Sequence, residues 1–265
     1  MVVAIDAMDT EPKDSIATIA AVGLLAYASA DIAHHVFGHG AACLVLGGQI
    51  ISLSSIFVNC SLRGTAIDLA GPFANLVIGL VALLAARIAI RASSTTRLFS
   101  ILAAAFNLMW FALQLAHSAA TRIDDWAWAM QQIHVTNPVR YGMIAVGLLA
   151  YFFIVRAVAG LMASFAHPPA RVRTIVLTAW ITAGMLACVT AAFDHHAGVA
   201  ILRSAAPQSL LLSIGLLFVS GKAARTPYSG GRADALVVSV PWIAAATIVG
   251  AASILLLGPG IAITL

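Results

Sequence analysis

Long apolar runs dominate this chain, and they constrain its fold more than any motif does. The first extends from about Ser15 to Gly48, and others cover about 67–90, 98–120, 139–165, 174–193, 208–221 and 235–257. About 20 consecutive apolar residues suffice for a helix to cross the hydrocarbon core of a bilayer. The sequence therefore predicts an all-α polytopic membrane protein with about six or seven transmembrane helices, the short 208–221 run being the one that leaves the count open. Hydrophobic residues are 62% of the chain and charged ones 9%, against roughly 45–50% and about 25% in soluble domains. That excludes a separate soluble domain, and residues 1–265 read as a single integral membrane domain whose main partner is the lipid bilayer.

Three parts are distinguishable within it. Residues 1–14 form a polar segment carrying Asp6, Asp9, Glu11 and Asp14, where a cleavable signal would begin with basic residues. Residues 15–130 hold most of the unusual polar groups, and 139–257 supply additional apolar helices. Near 49–65 the β-branched and alternating residues Ile50, Ile51, Leu53, Ile56 and Val58 predict a short strand-like or re-entrant segment. The net charge is +4, but the basic residues are scattered through the loops, which argues against nucleic acid and for orientation signals. Arg87, Arg91 and Arg97, then Arg156, Arg171 and Arg173, then Lys222, Arg225 and Arg232 crowd alternate connections. The intervening ones carry only Arg63, Arg122, Arg140 and Arg203. With seven spans this bias puts the N-terminus in the cytoplasm. The three cysteines, Cys43, Cys60 and Cys188, form no CxxC pair and no even set, so no disulfide is expected, and Cys43 and Cys188 read as packing residues.

Ionisable side chains inside a membrane are costly and mark function by default. The densest cluster is Asp31-Ile32-Ala33-His34-His35-Val36-Phe37-Gly38-His39. On an α-helix His35 and His39 lie one turn apart on one face, the spacing with which a single helix offers two ligands to zinc. Asp31 extends that face by a turn, where it could orient a ligating imidazole, with His34 beside it. Further along stand Gly71-Pro72-Phe73-Ala74-Asn75, then Asn107, Gln114 and His117, then Asp124-Asp125 before Trp126 and Trp128. Taken alone, the two acids read equally well as a membrane boundary with interfacial tryptophans or as metal ligands.

In this order the motifs resemble the site-2-protease family of intramembrane zinc metalloproteases. That family carries His-Glu-x-x-His on one helix, Gly-Pro-x-x-Asn at the start of a later one, and an Asp further downstream. The matches are His35-Val36-Phe37-Gly38-His39, Gly71-Pro72-Phe73-Ala74-Asn75 and Asp125 or Asp124, all within a metalloprotease-like core of residues 15–130. The resemblance implies a zinc ion held by His35, His39 and Asp125 (Asp124 the alternative), and Asn75 placing a transmembrane peptide substrate. It also implies hydrolysis of membrane-embedded peptide bonds. Val36 occupies the position of the family's general-base glutamate and cannot accept a proton, and the chain's one glutamate is Glu11. A pseudoprotease that binds a client without cutting it is therefore a second expectation. A transport or structural subunit, and a histidine-rich di-iron oxygenase, for which Asp194-His195-His196 is the only other histidine cluster, are the remaining ones.

Overall fold

The computed structural model describes residues 13–88, 92–194, 197–226 and 235–262; most of the polar 1–14 segment, and His195 and His196, lie outside the described residues. Among the described residues seven helices are long and apolar enough to cross a membrane: Ile16–Val45, Thr65–Ile88, Ser94–Thr121, Asn137–Phe165, Pro169–Ala191, Gly198–Ala223 and Val240–Leu257. This is consistent with a multi-pass membrane protein. The sixth is longer than the 208–221 run because residues 198–207, Arg203, Ser204 and Pro207 among them, are carried within it.

The first span joins α1 (Ile16–Ile32), a π-helical stretch (Ala33–Gly40) and α2 (Ala41–Val45). Ser15 caps α1, its side chain accepting from the Thr18 N–H at 3.2 Å, which satisfies one of the unpaired donors of a helix start. The second span is α3 (Thr65–Ile88) and the third α4 (Ser94–Thr121). The short α5 (Asp125–Gln132) follows, then α6 (Asn137–Phe165) and α7 (Pro169–Ala191).

α4 is the central post. Within its most apolar stretch 83% of residues are buried, more than in any other span, because α1, α3 and α6 all pack on it. Small residues allow that approach. A β-carbon on Gly147 of α6 would lie 2.7 Å from the Ala112 carbonyl oxygen, and one on Gly79 of α3 would lie 2.6 Å from Leu108 Cγ.

The 49–65 segment is a β-hairpin, β1 (Ile50–Leu53) and β2 (Val58–Cys60). β1 also pairs with β3 (Ile261–Ala262), giving the order β2-β1-β3. The fold is therefore mostly helical rather than wholly so. β1 follows the first span and β3 the last, so their pairing brings the ends of these two helices together. The strands can meet only if the ends of the first and last spans lie at one end of the bundle, as an even number of crossings between β1 and β3, the sixth span among them, allows.

One sequence expectation fails here: Cys43 and Cys60 form a disulfide. They are 17 residues apart with no motif spacing, and only the fold of the hairpin back onto α2 makes them neighbours. Cys188 alone is free.

On the opposite face Arg171 grips Asp14 with two parallel bonds, Nε to Oδ2 at 2.6 Å and Nη2 to Oδ1 at 2.8 Å, and the Leu236 N–H donates to Asp14 at 2.9 Å. Burial raises the Asp14 pKa, but the Arg171 bonds and the Leu236 N–H outweigh it, so its carboxyl lies below the usual aspartate value. A depressed folded pKa gives stability that is present above the ordinary aspartate pKa and lost as pH falls through the folded value. Asp14→Asn should therefore lower the thermal midpoint in detergent at pH 7, with the difference from the unmodified chain shrinking in strong acid. An equal difference at both pH values would show that the carboxylate charge is not what matters.

Candidate metal centre

Three ligand atoms converge where the first span, α4 and α5 meet. His34 Nε2 is 2.9 Å from Asp125 Oδ2, His39 Nε2 is 3.3 Å from the same oxygen, and the two nitrogens are 3.1 Å apart. A tetrahedral zinc ion with ligands at about 2.0–2.1 Å separates its donors by about 3.4 Å, so the triangle is already near the size that a small cation requires. All three residues are buried. This group could hold a metal ion.

His34 and His39 are five residues apart, and on an α-helix such residues point about 140° away from each other. They meet because the chain is π-helical from Ala33 to Gly40: the Ala41 N–H reaches back five residues to the Val36 carbonyl. A π turn takes up one additional residue, and such turns recur at functional sites. The spacing rule that selected His35 with His39 assumes α geometry; in the π register it is His34 that comes round to His39.

His35 stays at the same cavity with a different task. Its Nδ1 is 3.2 Å from Asp31 Oδ1, so Asp31 orients His35. His34 lies flat against Trp110, ring centroids 4.9 Å apart, and its Nδ1 has no protein partner among the described residues. His39 is fixed from behind: its Nδ1 is 2.7 Å from the Ile67 carbonyl. That oxygen can only accept, so Nδ1 carries a proton and Nε2 is the atom turned to the site, the arrangement by which ligating histidines are held. Val36 points elsewhere, into the cluster of Cys43, Ile50 and Leu53 against the sheet.

Asp124 and Asp125 divide the remaining work. Asp124 adopts a positive φ of 80° and its Oδ1 accepts from the Asp125 N–H at the start of α5. Gln114 on α4 reaches both acids through Nε2, at 2.9 Å to Asp125 and 3.1 Å to Asp124. Burial raises the pKa of each. For Asp125 the imidazoles of His39 and His34 more than offset it, leaving the carboxyl well below its usual range and ionised. Asp124, buried beside that charge, is pushed up to about 6 despite the Gln114 bond. Asp125 is thus the anionic corner of the triangle, and Asp124 is a turn residue held close to it.

The Gly-Pro motif owes its place to the same centre. A β-carbon on Gly71 would clash with His39 Nε2 and come within 2.8 Å of His34 Nε2. A β-carbon on Gly38 would come within 2.5 Å of the Gly71 Cα. The two glycines let α3 lie directly against the imidazoles. Pro72 sits inside α3, which starts at Thr65, rather than at its start. Asn75 is fully buried, neither atom of its amide having a protein partner among the described residues. Of the two tryptophans expected at an interface, Trp126 is buried against Phe73 and Phe111, while Trp128 is half exposed beside Phe57.

A cavity of about 450 Å³ opens onto the triangle, within the range of ligand sites. Its walls include His35, the outer strand β2, Arg63, Asp68, Trp128 and Gln131. The chain matches no protein-family model, no curated protein and no solved structure.

Proposed function

We propose that this chain is a membrane-embedded zinc hydrolase of peptide bonds, similar in its chemistry to the site-2 proteases, with His34, His39 and Asp125 as the metal ligands. The observation that carries the reading is the buried triangle of two imidazole nitrogens and one carboxylate oxygen, 2.9–3.3 Å on a side. Two nitrogens and one oxygen from protein, with a fourth position open to a cavity, is the ligand count of a catalytic rather than a structural zinc site. Bound there, zinc would act as a Lewis acid and lower the pKa of a water molecule towards about 7.

The chain's own residues do the rest. In the π register the position directly after the first ligand is His35, not Val36. Asp31 holds His35 Nδ1, leaving Nε2 to take a proton in the cavity where the family uses a glutamate. β2 is an outer strand of the sheet and lines the same cavity, so an extended segment of a membrane substrate can add to it as a further strand. The absence of a glutamate from the helix supports one other reading, a pseudoprotease that holds zinc and a client.

Metal analysis of the purified chain is the test. One zinc per chain, lost in Asp125→Ala and His39→Ala, together with chelator-sensitive cleavage of a transmembrane peptide, is the expected result. Zinc without cleavage would select the pseudoprotease; a wild-type chain that purifies without metal and takes up none would end the metal reading altogether.

A further inference from the structure

Two independent features bear on which side of the membrane the centre faces. The first is charge. The pairing of β1 with β3 puts the sheet, the disulfide, α5 and the mouth of the cavity on one face. The Asp14–Arg171 pair lies on the other. Sorting the lysines and arginines among the described residues by the nearer end of their span puts Arg63, Arg122, Arg140 and Arg203 on the sheet face and the other eight on the Asp14 face. Arg140 is also not a free loop charge, because it is buried and donates to the Ala119 carbonyl at 2.9 Å. An excess of Lys and Arg marks the cytoplasmic side, so the sheet face is the outer one.

The second feature is redox chemistry. The Cys43–Cys60 disulfide sits on that same face. Disulfides persist in oxidising compartments and are reduced in the cytosol. Its position gives it a use there: Cys43 lies one turn beyond His39, and Cys60 is in the cavity wall. The bond therefore ties the outer strand of the sheet to the helix that carries two ligands. Nothing in the charge count depends on the cysteines, yet both features choose the same face.

We propose that the metal centre is served from the non-cytoplasmic side, and that the polypeptide segment it takes is one presented in that oxidising compartment. The nature of the ligand rests on the peptide-hydrolase reading above; the sidedness does not.

Two measurements on the full chain in intact cells test this. In the first, thiols are trapped with acid and tagged with a mass-adding maleimide under denaturing conditions. One tag per chain before reduction, on Cys188, and three after it are expected. In the second, Gln131→Cys, at the cavity mouth, and Arg173→Cys, on the opposite face, are each placed in a Cys188→Ala background. A membrane-impermeant maleimide should label Gln131→Cys in intact cells and Arg173→Cys only after permeabilisation. Three tags without reduction, or the reverse labelling pattern, would overturn the proposal even if the purified chain holds zinc. The expected pattern in a chain that holds no metal would leave the sidedness standing and remove the hydrolase reading.

Discussion

His34→Ala should empty the metal centre, whereas His35→Ala should leave it filled and inactive. The two residues are neighbours in sequence, of one type, and both buried, so general damage from losing a buried imidazole should be similar in each variant. Their places differ. His34 Nε2 is a corner of the ligand triangle, 2.9 Å from Asp125 and 3.1 Å from His39; His35 is bonded to Asp31. Loss of a group that only supports a ligand costs about 10–100-fold in metal affinity, so loss of a ligand should exceed that. His35→Ala should hold zinc within that range and lose about 10²–10⁴-fold in peptide cleavage, the usual worth of general-base assistance. Zinc titration of both variants, with cleavage of one transmembrane peptide, separates them. If His35→Ala loses zinc and His34→Ala keeps it, the ligand pair is the α-helical one, His35 with His39, and the π register does not describe the loaded protein.

The same comparison shows where the sequence was legible. Spans are legible because hydropathy over about 20 residues averages out local detail, and six of the seven apolar runs agree with helices to within a few residues. The sixth run was short because a polar patch with Arg203 and Pro207 interrupts it, and the helix continues through that patch to a length that can span a bilayer. That His39 and an acid of the 124–125 pair belong to one centre was legible from residue type and order. Which histidine partners His39 was not. Side-chain direction follows from residues per turn, and no residue between Ala33 and Gly40 announces a π turn. The three closely spaced histidines were the available signal, since they offer a ligand in either register. The disulfide was invisible for a related reason: Cys43 and Cys60 belong to elements whose contact is set by the hairpin, not by spacing. Val36 looked decisive as a missing base only because α geometry placed it next to the first ligand. In the folded chain it is partly buried against the sheet cluster, so Val36→Glu should press a carboxylate against apolar side chains there and destabilise the fold rather than restore activity.

Gly71→Ala should abolish zinc binding although it adds one methyl group and touches no ligand covalently. The added carbon would clash with His39 Nε2 and press within 2.8 Å of His34 Nε2. Neither ring can retreat easily. His39 is anchored at Nδ1 by the Ile67 carbonyl, and His34 has Trp110 stacked on it. The alternative is for α3 to move away from the first span, but Gly38 and Gly71 are in contact across that crossing, and Ile67, which anchors His39, is itself on α3. Moving the helix therefore drags the anchor with it. Overpacking of this kind costs about 1–3 kcal/mol in stability, which a membrane helix bundle can survive. Metal–ligand distances, by contrast, tolerate only about 0.2 Å. The expected outcome is a chain that still folds, with a modestly lowered thermal midpoint, and no stoichiometric zinc. Gly142→Ala is the control: beyond its own helix backbone no described atom lies within 4 Å of a β-carbon there, so zinc and midpoint should be unchanged. A Gly71→Ala chain that binds zinc as tightly as the unmodified one would mean that α3 does not press on the imidazoles as described, and the Gly-Pro motif would need another explanation.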